Sequence, residues 1–167
     1  EDWSSEHAFM FLDRYKDKYP MFNDDIQGTG AVILAGLISA TRFVEKETKK
    51  SSDHRILMVG AGSASVGVAK QLMSFFTLNG MSEEEARLRI WTTDSKGLVT
   101  MNRGDKLADY KQYFARRGNG DMQLKELSDI IDHVKPTVLL GLSTIHGLFD
   151  EKILRKMADL NERPIIL

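Results

Sequence analysis

The sequence holds 167 residues, enough for one domain that buries roughly 70% of its unfolded surface without metal or disulfide staples. Lys and Arg total 23 against 24 Asp and Glu, so the net charge is −1 and the basic surplus that nucleic-acid binding needs is missing. There is no cysteine, which excludes disulfide frameworks, thiol nucleophiles and thiolate zinc sites.

Ser4 or Ser5 can cap a first helix whose apolar positions Ala8, Phe9, Leu12 and Tyr15 recur at helical spacing, and Pro20 stops it. After the polar turn Phe22-Asn23-Asp24-Asp25, a strongly apolar helix is expected over residues 26–45. Its run 31–40 is about half the length of a membrane span, so it is read as a buried core helix and no membrane segment is expected. Residues 45–53 are charged and small, a solvated connector. Residues 55–59 are short, apolar and followed at once by glycine, the pattern of a buried strand. A helix is expected over 65–79 with Gly80 at its C-terminal stop, and Ser82 with Glu85 forms a capping box for a short helix.

Further along, 88–93 reads as a strand, 123–134 as an amphipathic helix and 137–140 as a strand. A helix over 150–160 and a strand over 164–167 complete the series. The alternation predicts an α/β fold, a doubly wound and mostly parallel sheet with helices on both faces. The first residue is Glu rather than Met, and the last four look like a strand cut short. Residues 1–167 are therefore expected to form a single domain taken from a longer protein.

The segment Gly60-Ala61-Gly62-Ser63-Ala64-Ser65-Val66-Gly67 joins an expected strand to an expected helix. A dinucleotide site needs that order. The first glycine permits the tight turn, the second lets a pyrophosphate approach the backbone, and the helix N-terminus offers free N–H groups. Ser65 stands in the third glycine position and is small enough for close packing, with Gly67 two residues later. The plainer alternative is a turn that needs glycine only for its backbone. Asp94, at the end of the next strand, is placed to bond an adenosine ribose, although 34 residues after Gly60 is a long interval. It could equally be an ordinary turn residue.

Two acidic pairs remain, Glu1-Asp2 and Asp24-Asp25. Both have local explanations: favourable charge at a helix N-terminus for the first, and an Asx-type cap for the second. The alternative is a hard divalent cation, Mg²⁺ or Mn²⁺, held by carboxylate oxygens. Spacing alone does not show that the pairs converge.

The block Phe22-Asn23-Asp24-Asp25-Ile26-Gln27-Gly28-Thr29 is similar, letter for letter, to the signature of malic enzymes, the decarboxylating NAD(P)-dependent malate dehydrogenases. Other matches follow in the same order: Glu1-Asp2, Gly60-Ala61-Gly62, Asp94-Ser95-Lys96-Gly97-Leu98 and Asn161-Glu162-Arg163-Pro164. The resemblance covers essentially the whole chain.

It implies a Rossmann-type NAD(P)-binding domain, with residues 1–25 contributing the edge of a metal site. Glu1, Asp2 and Asp25 would hold Mg²⁺ or Mn²⁺, and Asp24 would support the family's catalytic lysine. Gly60, Ala61, Gly62, Ser63 and Ala64 would cradle the pyrophosphate, and Asp94 would hold the ribose. Lys111, 17 residues past Asp94, would meet a 2′-phosphate with Ser95 and Lys96 nearby, favouring NADP over NAD. Ser143 would approach the nicotinamide side.

The implied substrate is malate, converted to pyruvate and CO₂ in a homodimer or homotetramer. Ser5 departs from the asparagine that relatives usually carry there. The family's tyrosine acid and lysine base lie upstream of Glu1, so this chain alone is expected to be inactive. A malolactic-type enzyme that retains NAD, and a non-catalytic nucleotide-binding or assembly domain, stay open as alternatives. The cellular compartment is not legible.

Overall fold

The computed structural model describes residues 3–45, 53–117 and 122–167. Glu1, Asp2 and residues 46–52 of the expected connector lie outside them.

Helix α1, Ser5–Tyr15, begins where the Ser4 hydroxyl accepts from the His7 N–H. A single π-helical turn, Asp24–Gly28, then leads directly into α2, Thr29–Glu45. Strand β1, Ile56–Val59, is buried along its whole length and feeds through the glycine turn into α3, Ser63–Leu78. Gly80, at φ 95°, follows the end of α3. The capping box forms as read: the Ser82 hydroxyl accepts from Glu85 N–H, and the Glu85 carboxylate accepts from Ser82 N–H.

That box opens α4, Glu83–Arg87, which is followed by β2, Ile90–Asp94. A two-residue strand β3, Gly97–Leu98, turns back on β2, and α5, Asp109–Gln112, is a single turn. The remaining elements are α6, Leu127–Val134; β4, Val138–Gly141; α7, Glu151–Leu160; and β5, Ile165–Ile166.

The five strands lie in the order β3-β2-β1-β4-β5. β1 pairs in parallel with β2 (Ile56 opposite Ile90) and with β4 (Ile56 opposite Val138), β4 pairs in parallel with β5, and β3 alone is antiparallel. Because side chains alternate along a strand, β1 serves two cores at once. Ile56 and Met58 pack with Leu72 and Phe76 of α3, while Leu57 and Val59 pack with Ile131 of α6 and Met157 of α7.

Three local readings are corrected. Helix α6 starts at Leu127, four residues later than expected, because Leu124 is held beside β3: its carbonyl accepts from Leu98 N–H at 2.8 Å. The antiparallel β3 and the short α5 were not anticipated. Finally, α2 is not a buried core helix. It presses one face, including Gly30, Leu37 and Thr41, inward, and leaves Val32 and Phe43 more than 70% exposed. With the π turn it is also long and apolar enough, by length and composition, to cross a membrane. Its covered face packs chiefly against α3 and the π turn.

Candidate functional site

The chain order reverses between β1 and β4, and open α/β sheets bind ligands at the carboxyl end of that junction. Gly60 stands there. Its N–H donates to the Thr93 carbonyl at 3.0 Å, and its φ of 131° is a conformation that side-chain-bearing residues rarely adopt. A methyl group at Gly60 would lie 2.1 Å from the Leu142 carbonyl oxygen of the loop after β4 and 3.1 Å from Ser65 Oγ. The turn is thus bare of side chains where the two strands end.

Behind it, Ser65 is fully buried, and its hydroxyl has no hydrogen-bond partner among the described residues. Gly62 is the N-cap of α3 and supplies no side-chain cap. The Ser63 N–H instead donates to the Ser5 hydroxyl of α1 at 3.2 Å. A helix start whose N-cap residue has no side chain, a glycine cradle and a polar atom lacking a partner are features that fit a bound pyrophosphate.

Sequence reasoning assigned close packing to Ser65, but Gly67 does more of it. A Cβ at Gly67 would stand 2.0 Å from the Ile26 carbonyl oxygen, so α3 and the π turn touch backbone to backbone. Gly30 meets the Gly67 carbonyl from the other side, with 3.1 Å left for a Cβ.

The letters of the π turn mostly serve its own geometry. Asn23 Oδ1 accepts from Ile26 N–H at 2.9 Å, and Gln27 Oε1 accepts from Asn23 N–H at 3.0 Å, a reciprocal cap. Ile26 is buried against α3. Gly28 makes room for the Asp24 carboxylate, which would lie 2.0 Å from any Cβ placed there. Single π turns are rare and frequently accompany functional sites. Asp24 and Asp25 both stay exposed. Among the described residues, no group of three or more histidine or acidic side chains converges to hold a metal ion. Glu1 and Asp2, the other expected ligands, lie outside those residues.

At the end of β2, Asp94 is the centre of a charged cluster. Arg103 grips it with both terminal nitrogens, at 2.7 Å and 3.0 Å, and Lys111 Nζ donates to Oδ2 at 3.0 Å. The Lys96 N–H donates to Oδ1, also at 3.0 Å. Burial works against the Asp94 charge, but the hydrogen bonds from Arg103, Lys111 and Lys96 outweigh it and hold the carboxyl down at about 2.

Asp105 completes the cluster by accepting from Arg103 Nε at 2.8 Å and from Lys96 Nζ at 2.8 Å. Those two bonds hold its carboxyl well below the usual carboxylate range. Lys111 is therefore no freely solvated lysine: its side chain is 20% exposed and tied to Asp94. Arg103 and Asp105 escaped sequence reasoning, because no spacing rule connects them to Asp94.

Ser95 lies exposed at the β2–β3 turn, next to this cluster. Ser143 is exposed on the loop after β4, where its hydroxyl accepts from Ile145 N–H at 3.1 Å. A groove of ≈1190 Å³ between α1, α3 and the segment 106–114 contains none of Gly60–Ala64, Asp94 or Ser143. The residues expected to bind the cofactor thus lie along the carboxyl edge of the sheet, not in that groove.

Comparison with known proteins agrees with this geometry. A family model described as the malic enzyme NAD-binding domain matches residues 26–167. The chain is 49% identical over 166 residues to the NADP-dependent malic enzyme of Dictyostelium discoideum, covering 99% of this chain and 30% of that protein. It is 44% identical over 167 residues to the mitochondrial NAD-dependent malic enzyme of Ascaris suum, covering 99% of this chain and 25% of that one. Among solved structures, the malic enzyme of Entamoeba histolytica superposes with a TM-score of 0.73 at 25% identity, over 98% of this chain and 32% of that one. The chain thus spans about a third or less of these relatives. With the Rossmann-type sheet, the bare glycine turn and the family match in agreement, this chain belongs to the malic enzymes and represents their NAD(P)-binding domain.

Proposed function

We propose that this chain is the NADP-preferring cofactor domain of an enzyme that converts malate to pyruvate and CO₂ in a metal-dependent oxidative decarboxylation. The observation that carries the cofactor preference is Lys111, whose ammonium sits 3.0 Å from Asp94 at the carboxyl end of β2. A carboxylate there ordinarily accepts a ribose hydroxyl and disfavours a 2′-phosphate, and nearby cations reverse that preference.

In this reading the pyrophosphate lies at the start of α3, bound by the Gly62 and Ala64 N–H groups and by Ser63, whose N–H exchanges the Ser5 hydroxyl for a phosphate oxygen, while Gly60 and the small Ala61 leave its path open. Ser95 and Lys111 bind the adenosine end, and Ser143 orients the nicotinamide side. NADP, when bound, supplies a hydride acceptor. Asp25, exposed and made of hard oxygen donors, suits Mg²⁺ or Mn²⁺ together with Glu1 and Asp2. Such an ion, when bound, supplies Lewis-acid polarisation of a substrate oxygen. Asp24 would support the catalytic lysine of the whole enzyme, its carboxylate favouring the lysine's charged form. The whole enzyme is expected to be a homodimer or homotetramer.

Calorimetric titration of the chain with NADPH and, separately, with NADH tests the reading. Tighter binding of NADPH, lost on Lys111→Gln with NADH binding retained, is the expected result. A preference for NADH, or an unchanged ratio in Lys111→Gln, overturns the NADP assignment.

A further inference from the structure

Arg116 is a half-buried cation that makes no ion pair among the described residues. Its guanidinium lies over the Trp91 indole, 4.2 Å from the ring centroid. Charges at such depth are ordinarily paired, and an aromatic ring satisfies only one face of the guanidinium plane. The N–H donors around the rim of that plane are left for an acceptor from outside. The base of the side chain is fixed: Arg116 N–H donates to the Val99 carbonyl at 3.0 Å, and the Arg116 carbonyl accepts from Met101 N–H at 2.9 Å.

A second arginine comes from α4. The Arg87 guanidinium stands 5.8 Å from the centroid of the Tyr113 ring. Helical spacing offers it Glu83, four residues earlier, as an ion-pair partner. That pair is not made. The Glu83 carboxylate accepts from the Tyr113 hydroxyl instead, and Arg87, like Arg116, has no carboxylate partner among the described residues. The two arginines are near enough to feel each other. Burial first, and then the charge of Arg87, push the Arg116 guanidinium below its ordinary value. Two like charges therefore stand together at the amino end of β2, and counting Glu83 they leave a formal surplus of one.

We propose that Arg116 and Arg87 form a binding site for phosphate, as the free ion or as the phosphate group of an ester, at the amino end of β2 and apart from the cofactor site at its carboxyl end. A phosphate group carries nearly two negative charges at neutral pH and offers three strong acceptor oxygens, which matches two guanidiniums better than a single carboxylate does. The inference does not depend on the NADP reading.

The chain has two tryptophans, so Trp3→Phe leaves Trp91 as the sole tryptophan reporter. Inorganic phosphate, added at constant ionic strength against sodium chloride, is expected to change Trp91 emission saturably and to raise the thermal midpoint. Arg87→Gln, which keeps the Arg116 stack, and Arg116→Gln should each weaken the apparent affinity by about tenfold or more. The thermal midpoint reads binding where Arg116→Gln alters the emission itself, and Arg87→Gln decides if Arg116→Gln does not fold by circular dichroism. Lys111→Gln, in the cofactor site, should leave the response unchanged. Glycerol 3-phosphate binding more tightly than phosphate identifies an ester as the ligand, and weaker binding identifies the free ion.

No saturable response, an equal response to acetate, or a response that survives both arginine changes overturns the proposal. A response lost in Lys111→Gln also overturns it, by placing the phosphate at the cofactor site.

Discussion

Replacing Gly60 by alanine should damage the chain far more than the same change at Gly80, although both glycines have positive φ. At Gly80, φ is 95° and nothing lies within 4 Å of an added Cβ. Alanine there costs only the backbone strain, about 1–2 kcal/mol. At Gly60 the φ of 131° is at least as unfavourable, and the methyl group would also stand 2.1 Å from the Leu142 carbonyl oxygen. Relieving that contact means moving one backbone by more than 1 Å to reach the 3.4 Å of ordinary contact.

Neither side yields easily. Gly60 N–H is bonded to the Thr93 carbonyl, and Leu142 N–H to the Val59 carbonyl at 2.9 Å. Strain of about 1–3 kcal/mol and overpacking of about 1–3 kcal/mol add to a loss of roughly 2–6 kcal/mol for Gly60→Ala. Urea unfolding followed by circular dichroism measures both variants, and calorimetry with NADPH measures the site. A Gly60→Ala protein within about 1 kcal/mol of Gly80→Ala, and unimpaired in NADPH binding, would refute the reasoning.

Two further outcomes are expected. The Asp94 carboxyl is lowered from 3.8 to about 2 in the folded chain, so its contribution is fully present above pH 3.8 and is lost as pH falls through about 2. The shift corresponds to at most about 2.4 kcal/mol, reduced to roughly 1–2 kcal/mol by solvent screening at this partly exposed site. Urea midpoints across that window should fall more steeply in the wild type than in Asp94→Asn, and parallel slopes would show that the cluster does not stabilise the fold. Gly67→Ala should destabilise by about 1–3 kcal/mol or more, because its Cβ would stand 2.0 Å from the Ile26 carbonyl oxygen. An unchanged midpoint by thermal unfolding would mean that α3 and the π turn can separate freely.

What could be read in advance was written in neighbouring residues. Ser82 and Glu85 cap each other across one turn, and the Ile56–Val59 run is apolar because both its faces are covered. Asn23 was readable as a cap because its partner, Ile26 N–H, is three residues away. The rest depended on contacts between distant segments. Leu124 is kept out of α6 by Leu98, a residue 26 positions earlier. Arg103 lies in a loop whose letters announce nothing until the chain brings it against Asp94. The position of Lys111 was legible only through family resemblance, since helix α5 is one turn long and carries no strong pattern. The exposed face of α2 misled for a related reason: its apolar letters are the same on the covered and uncovered sides.

The contact between Gly67 and Ile26 sets a fixed spacing. On one side of it runs the helix whose first turn faces the strand ends; on the other is the turn that carries Asp24 and Asp25. With a carbonyl oxygen seated against an α-carbon and no side chain between them, there is no rotamer to absorb a displacement. Sliding one element along the other would drive backbone into backbone. The backbone that carries Asp24 and Asp25 and the start of α3 are therefore held at one spacing, and an opening of this part of the molecule bends at some other joint.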